Sequence, residues 1–346
     1  MLLSTTALLR RSRPLSAHTS LSLSQRFSSR TMDIVASATA KEIRPSATLI
    51  VAAPNNANDY NYKVLMMKRN AKSSFIHAHV FPGGVVDKHD DASLWQPLLK
   101  QQPTPELTNK ICAIRETFEE SGLLLTYPPA TSIQDKHVWR ERVHNDASQF
   151  KVLCETHGLV PAVDRLTPFA NWITPGAEKR RYNTHFFLTV WTPDSVAQAD
   201  GTETVQLDWF SPKEALEQWR QRGIVLFPPQ WYSLESMVPI QDHVNLTAHA
   251  GIGALRTSNG NVSTVMPQHN PVNDPTWSDR GYHTFLAYPG DEYYLDLVHG
   301  QPTGRPGDRH RIYIRGRMED FELEKNVNVP EQSTPSSSST IKKASL

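Results

Sequence analysis

Cysteine, long apolar runs and net charge are all scarce in this chain, and each shortage excludes a class of protein. Its 346 residues include 2 cysteines, too few for the disulfide framework of a small secreted domain and typical of a reducing compartment. No apolar stretch approaches the length that crosses a bilayer, so no transmembrane segment is expected. The formal net charge of +1 predicts no broad surface for binding nucleic acid.

Asp and Glu are absent from residues 1–31, whose composition differs sharply from that of the rest of the chain. Many serines and leucines are combined there with the arginines Arg10, Arg11, Arg13, Arg26 and Arg30. This is typical of a mitochondrial transit peptide, so we predict recognition by the import machinery and a location in the mitochondrial matrix. An ordinary disordered tail is the alternative, and Met32 is a second possible start. The final Ala-Ser-Leu half resembles a peroxisomal Ser-Lys-Leu address, which makes the peroxisome the runner-up.

Hydrophobic periodicity predicts both helices and strands, as in an α+β fold. We expect a hairpin from residues 47–53 and 63–67, strands at 186–191 and 206–210, and short β-runs at 282–288, 293–298 and 311–314. Helices are predicted at 134–158, from Pro212 to near Gly223, and at 228–237.

Three glutamates lie within about one quadrant of a further predicted helix. Glu116, Glu119 and Glu120 share this arc because successive helical residues are rotated by about 100°. The opposite side carries the apolar stripe of a buried face, made of Leu107, Ile111, Ile114 and Phe118. Like charges this close repel each other unless a cation lies among them, and grouped carboxylates suit Mg²⁺ or Mn²⁺ better than zinc. The alternative for such an arc alone is a solvent-exposed acidic face.

The sequence around this helix predicts its limits and a glycine turn before it. Thr104 is suited to the N-cap, Pro105 to the first helical position and Gly122 to the C-terminal stop. Upstream, Gly83 and Gly84 separate two strand-like runs, so the backbone can turn tightly and approach the glutamates. The order strand, glycine turn and acidic helix favours a metal site over a solvated face.

The run from Arg115 to Leu123, Arg-Glu-Thr-Phe-Glu-Glu-Ser-Gly-Leu, resembles the second half of the Nudix box. The box pattern is G-x5-E-x7-R-E-U-x-E-E-x-G-U, with U aliphatic, and Gly84 matches its first glycine. The spacing from Gly84 to Arg115 is longer than the pattern allows, so we expect an inserted surface loop at about residues 88–104. The first box glutamate has no clean equivalent, since Leu107 stands at its distance from Arg115 and Glu106 is one place off.

The resemblance covers about residues 45 to 325 and includes motifs outside the box. These motifs are Leu65 to Arg69, Arg180 to Phe187, Trp209 to Pro212, Phe227 to Pro229 and Pro289 to Asp291. Their order is similar to the branch of Nudix hydrolases that contains animal peroxisomal coenzyme A diphosphatases with a long box insertion. The resemblance implies an α/β/α sandwich with a mixed β-sheet. We expect this domain at residues 44–244, a β-rich extension packed on it at 245–325, and a disordered Ser-rich tail at 326–346.

The resemblance also implies a reaction, the hydrolysis of a nucleoside diphosphate linked to another group. Glu116, Glu119 and Glu120 would then hold Mg²⁺ or Mn²⁺, while Arg115 orients one carboxylate by a bidentate pair. The general base is either Glu203, at a loop position that some relatives use, or one of Glu119 and Glu120.

Basic residues near the box are candidates for holding substrate phosphates, together with the Gly83–Gly84 backbone. They are Lys68, Arg69, Arg180 and Arg181, with simple solubility as the alternative role. Trp172 is either an adenine-stacking residue or a core aromatic. The leading substrate is coenzyme A or acyl-CoA, cleaved to 3′,5′-ADP and (acyl-)4′-phosphopantetheine. The alternatives are ADP-ribose, NADH or a capped nucleotide, and a binding module that has lost catalysis.

Overall fold

The computed structural model describes residues 42–57, 59–70, 78–193, 197–199, 204–250, 255–316, 318 and 320–330. Within these ranges, no helix has both the length and the apolar character needed to cross a membrane. The predicted transit peptide at residues 1–31, the candidate base Glu203 and residues 331–346 of the predicted tail lie outside the described residues.

The described residues form strands and helices in an interleaved order. The strands are β1 (Ile43–Pro54), β2 (Tyr62–Arg69), β3 (His79–Val80), β4 (Gly83–Val85), β5 (Thr126–Tyr127), β6 (Val160–Pro161), β7 (Thr167–Ile173), β8 (Arg181–Val190), β9 (Thr204–Phe210), β10 (Thr264–Val265), β11 (Gln268–Pro271), β12 (Tyr282–Ala287), β13 (His310–Arg315) and β14 (Asp320–Lys325). The α-helices are α1 (Ala92–Leu99), α2 (Pro105–Ser121), α3 (Lys136–Asn145), α4 (Ser148–His157), α5 (Pro212–Arg220), α6 (Pro228–Met237), α7 (His243–Ala250) and α8 (Pro275–Ser278).

A mixed sheet forms the centre of the fold, with the strand order β10-β7-β8-β1-β2-β3. Strand β1 is parallel to β8 and antiparallel to β2, and its first half also pairs with β4. Because side chains alternate along a strand, Leu49 and Val51 face a core shared with α2, while Ile50 and Ala52 face the core on the other side. Helices therefore cover both faces, and the expected α/β/α sandwich is confirmed.

A second sheet at the C-terminus has the order β11-β12-β13-β14 and is antiparallel throughout. It packs on the same core as α5 and α6, where Phe321 stacks on Trp219 with 5.1 Å between the ring centroids. The predicted start of the extension at residue 245 falls inside α7, and β10 still pairs with β7 of the main sheet. The separate C-terminal sheet begins at β11.

Several local predictions were wrong. The insertion at 88–104 is not a plain surface loop, because it contains α1, where Trp95 is fully buried and donates from Nε1 to the His89 carbonyl at 2.8 Å. The single helix predicted at 134–158 is divided into α3 and α4 near Asp146, whose side chain accepts from the Ser148 amide. Residues 293–298 form turns, and the described start of the tail is ordered, since Val329 is buried and bridges to Thr257.

Candidate active site

Helix α2 has the limits that its sequence predicts. The Thr104 side chain accepts from the Leu107 amide at 3.1 Å, Pro105 occupies the first turn, and Gly122 ends the helix at φ 75°. The stripe of Leu107, Ile111, Ile114 and Phe118 is buried, as predicted. Thr117, at an aliphatic position of the box, is also buried and donates its hydroxyl proton to the Ala113 carbonyl at 2.7 Å. The helix is thus anchored with its glutamates turned towards the glycine turn.

Arg115 lies at the centre of the acidic face of α2. Its Nη1 donates to Glu119 Oε1 at 2.6 Å and lies 2.9 Å from Glu116 Oε1. Its Nη2 also donates to the Val85 carbonyl at 3.2 Å, which ties the helix to β4. Burial alone lowers the pKa of Arg115, but hydrogen bonds with Asp90 and the charge of Glu116 raise this pKa overall. The guanidinium therefore stays charged and holds two carboxylates in place.

Asp90 completes this arrangement, and sequence reasoning missed it. Its two carboxylate oxygens accept from Arg115 Nε and Nη2 at 2.8 Å each, and one of them also accepts from the Asp87 amide at 2.8 Å. Counting forward from Gly84 reaches Asp90 after five intervening residues, which is the place of the first acid in the box. The insertion therefore follows this acid, and neither Glu106 nor Leu107 takes its role.

The glycine turn comes into direct contact with the acidic face. A Cβ at position 84 would lie 2.5 Å from the Glu116 carboxylate, and one at position 83 would lie 2.4 Å from the Ala47 carbonyl oxygen. The Gly83 amide donates to Glu120 Oε2 at 2.8 Å. A side chain at Gly83 would clash with backbone and one at Gly84 would displace the Glu116 carboxylate, while the turn orients Glu120 as Arg115 orients Glu119.

The chemistry of these carboxylates fits a hard divalent cation. Burial raises the pKa of Glu116, opposed by Arg115 and supported by the charges of Glu119 and Asp90. A cation among the carboxylates would relieve that cost by neutralising them. Within the described ranges, no group of three or more His, Cys, Asp or Glu is arranged around one ion position. Arg115 Nη1 contacts both Glu116 and Glu119.

A cavity of about 300 Å³ opens beside the glycine turn. Gly83 and Gly84 form one wall, strands β7 and β8 contribute Trp172 and Phe186, and the start of α6 contributes Phe227 to Gln230. The C-terminal sheet and its turns close the remaining side. A larger, more open cavity of about 520 Å³ lies between the insertion and the start of α2, away from the glutamates. The smaller cavity is the candidate substrate site because it is lined by Gly83 and Gly84, which contact the carboxylates of Glu120 and Glu116.

The predicted basic residues are separated by the structure. Arg69 lines the cavity, whereas Lys68 is not among its lining residues and Arg180 is exposed. Arg181 is buried, with Nε donating to the Thr174 carbonyl at 3.0 Å and a terminal nitrogen 3.4 Å from Met266 Sδ. It does not line the cavity, so its predicted phosphate-binding role stays a prediction. Trp172 is both a core aromatic and a lining residue.

Comparison with known proteins identifies relatives of this chain. The Xenopus laevis acyl-coenzyme A diphosphatase NUDT19 is 31% identical over 266 residues, which cover 58% of this chain and 70% of that protein. The Gallus gallus protein of the same name is 32% identical over 252 residues, covering 55% and 67%. Among solved structures, a NUDIX hydrolase from Alicyclobacillus acidocaldarius matches with a TM-score of 0.52 and 21% identity. That match covers 61% of this chain and 97% of the bacterial chain, and it supports the fold.

A family model described as the NUDT19 Nudix domain matches residues 34–109 and 103–237, more than half of the chain. The matched ranges include Asp90, the glycine turn and all of α2. They end before the C-terminal sheet, which begins at Gln268. The chain therefore belongs to the NUDT19 Nudix-domain family of Nudix hydrolases, enzymes that act on phosphorus-containing acid anhydrides.

Proposed function

We propose that this protein is a metal-dependent diphosphatase that hydrolyses the pyrophosphate bond of coenzyme A or acyl-CoA. The products would be 3′,5′-ADP and (acyl-)4′-phosphopantetheine. The proposal rests on a Nudix box whose side chains are held by hydrogen bonds, combined with similarity to two proteins named acyl-coenzyme A diphosphatases. Glu116, Glu119 and Glu120 are held beside a cavity, in a chain 31% and 32% identical to two acyl-coenzyme A diphosphatases.

The residues of the site have different proposed roles in the reaction. Mg²⁺ or Mn²⁺ held by Glu116, Glu119 and Glu120 would neutralise the diphosphate oxygens and lower the pKa of the attacking water. Arg115 keeps Glu119 in position through a hydrogen bond of 2.6 Å. The Gly83 amide does the same for Glu120, so two of the three proposed ligands are held by hydrogen bonds before an ion binds.

Glu203 is our proposed general base. Glu119 and Glu120 each already accept a hydrogen bond, from Arg115 and from the Gly83 amide, and are proposed as metal ligands, so a separate carboxylate is needed to take the proton from water. In the Glu203→Gln variant, turnover should fall while coenzyme A still binds. Full turnover in that variant would exclude Glu203 and return the role to a box glutamate.

The substrate is tested with protein that starts at Met32, incubated with Mg²⁺ and, in separate reactions, coenzyme A, ADP-ribose and NADH. Products are identified by mass spectrometry. Formation of 3′,5′-ADP from coenzyme A, at a higher rate than turnover of the other two compounds, is the expected result. Preferential cleavage of ADP-ribose or NADH would support a diphosphatase activity and contradict coenzyme A as its substrate.

We also propose a mitochondrial location, with the peroxisome as the alternative. The support is the arginine-rich, acid-free composition of residues 1–31. Fusion of residues 1–40 to a fluorescent reporter should direct the reporter to mitochondria. A reporter that stays in the cytosol would contradict this location, and a full-length protein found in peroxisomes would favour the C-terminal address.

A further inference from the structure

We infer that the cavity beside the glycine turn binds the neutral pantetheine arm of the substrate, and that the C-terminal sheet supplies the wall that recognises it. The inference rests on the proposed coenzyme A diphosphatase function and adds to it. It assigns a role in substrate selection to residues 268–325, which lie beyond the range that the family model matches.

The side chains that line the cavity carry too little positive charge to bind a polyanion. Arg69 and Glu178 are the lining residues with a full charge, and they have opposite signs. A 3′-phosphorylated nucleotide carries several negative charges and would require more cationic donors than one arginine. Most other lining side chains are aromatic, aliphatic or proline, such as Trp172, Phe227 and Leu286. Such a surface favours a neutral, partly apolar ligand.

The cavity also offers polar groups suited to amides. Gln230, Thr174 and His269 line it among the apolar residues. The Trp172 indole Nε1 is buried and has no hydrogen-bond partner among the described residues. Pantetheine has a branched dimethyl group and two amides, so it matches a wall that mixes apolar contacts with a few donors and acceptors.

The C-terminal sheet contributes through two adjacent strands and a turn. Leu286 on β12 pairs with His269 on β11, and both side chains line the cavity. Met318, in the turn between β13 and β14, lines the cavity as well and has φ 62°. Non-glycine residues seldom adopt this conformation, so the turn holds Met318 at some cost in backbone energy. A flexible thioether is well suited to contact a chain-like ligand.

The position of the cavity admits one half of coenzyme A, since both halves are joined to the diphosphate, and its lining selects the arm. The same cavity reaches Gly83 and Gly84, which contact the carboxylates of Glu120 and Glu116. In coenzyme A the pantetheine arm is joined directly to the diphosphate. A diphosphate placed at the glutamates therefore has its arm within reach of this cavity, and the nucleotide half must leave the glutamates by another path.

The test measures binding of each half of coenzyme A by calorimetry, with 4′-phosphopantetheine and 3′,5′-ADP as separate ligands in the presence of Mg²⁺. Met318→Trp narrows the cavity, and Met318→Gly removes the contact while suiting the backbone angle. Both variants should bind 4′-phosphopantetheine about tenfold more weakly and leave the affinity for 3′,5′-ADP unchanged. Val298→Trp is the control, because Val298 is 44% exposed and does not line the cavity.

Each outcome decides between the alternatives. A loss of 3′,5′-ADP affinity in the Met318 variants, or equal losses for both ligands, would overturn the assignment of the arm. Unchanged affinity for 4′-phosphopantetheine in Met318→Gly, a variant that should fold normally, would also overturn it. Failure of the proposed function is recognised separately, because the wild-type protein would then form no 3′,5′-ADP from coenzyme A and the inference would fall with it.

Discussion

Asp90 and Arg115 form a buried bidentate ion pair, with Nε to Oδ1 and Nη2 to Oδ2 both at 2.8 Å. The pair connects the end of the glycine segment to the middle of α2. It therefore closes the inserted segment between them, including α1, into a loop whose two ends are fixed. Arg115 can orient Glu119 because its other side is held by Asp90.

Asp90→Asn should destabilise the protein by about 1–3 kcal/mol, because an amide cannot accept both of the hydrogen bonds that the buried Arg115 guanidinium donates to Asp90. Turnover should fall as well, since Arg115 is then free to shift away from Glu119. Urea unfolding and initial rates measure the two effects. Asp87→Asn is the control, since the Asp87 side chain is 43% exposed. Equal stability of the two variants would show that the buried pair does not support the site.

Gly84→Ala should abolish most activity, because the added Cβ would lie 2.5 Å from the Glu116 carboxylate and push it out of position. The matched control is Gly158→Ala at the end of α4, where φ is 64° and no atom lies within 4 Å of the new Cβ. The control should lose about 1 kcal/mol of stability and keep its activity. Thermal unfolding and kcat separate the two effects, and an active Gly84→Ala variant would refute the close approach.

The buried side chain of His310 leads us to expect that the free energy of unfolding falls in mild acid. Its Nδ1 lies 2.8 Å from the Pro289 carbonyl, so this nitrogen carries the proton and Nε2 accepts from the Tyr232 hydroxyl at 2.6 Å. Burial, followed by the charge of Lys325, lowers the pKa of His310 to about 3. Between pH 6.5 and about 3, the unfolded chain binds a proton at this residue and the folded protein does not.

The free energy of unfolding should therefore fall as the pH falls through this window, by up to about 1.4 kcal/mol per pH unit from this residue. His310→Gln removes the titrating group, so its stability should change less steeply with pH over the same range. Urea titrations of both proteins at several pH values measure the two slopes. Equal slopes would show that His310 is protonated in the folded state.

Mg²⁺ should raise the thermal midpoint of the wild-type protein, because an ion that binds only the folded state stabilises it. Glu120→Gln should reduce this shift, since it removes a negative charge from the proposed ligand set. Glu106→Gln is the control on the same helix, where the Glu106 side chain is 55% exposed and pairs with Lys110. A shift that is equal in all three proteins would place the ion elsewhere.

Local signals on α2 were sufficient to predict its limits, its buried stripe and its acidic face, because caps and periodicity act over a few residues. Asp90 was missed because the first acid of the box was expected at its usual distance before Arg115, and the insertion lengthens that distance. Its distance after Gly84 is the usual one. The prolines of the insertion predicted a loop. The segment forms helix α1 instead, because the Asp91 side chain caps its N-terminus and the burial of Trp95 stabilises the helix despite Pro97 within it. Arg181 was assigned to substrate phosphates because its basic run flanks a strand near the box, whereas its side chain contacts Thr174 and Met266.

The most direct test of the proposed reaction measures the initial rate of 3′,5′-ADP formation from coenzyme A with Mg²⁺ in ¹⁸O-water, for the wild type, Glu119→Gln and Glu106→Gln. We expect ¹⁸O-labelled product from the wild type and from Glu106→Gln at similar rates, and a loss on the order of a hundredfold in Glu119→Gln. The label identifies the phosphorus that water attacks. No 3′,5′-ADP from the wild type, or equal rates in Glu119→Gln and Glu106→Gln, would contradict it.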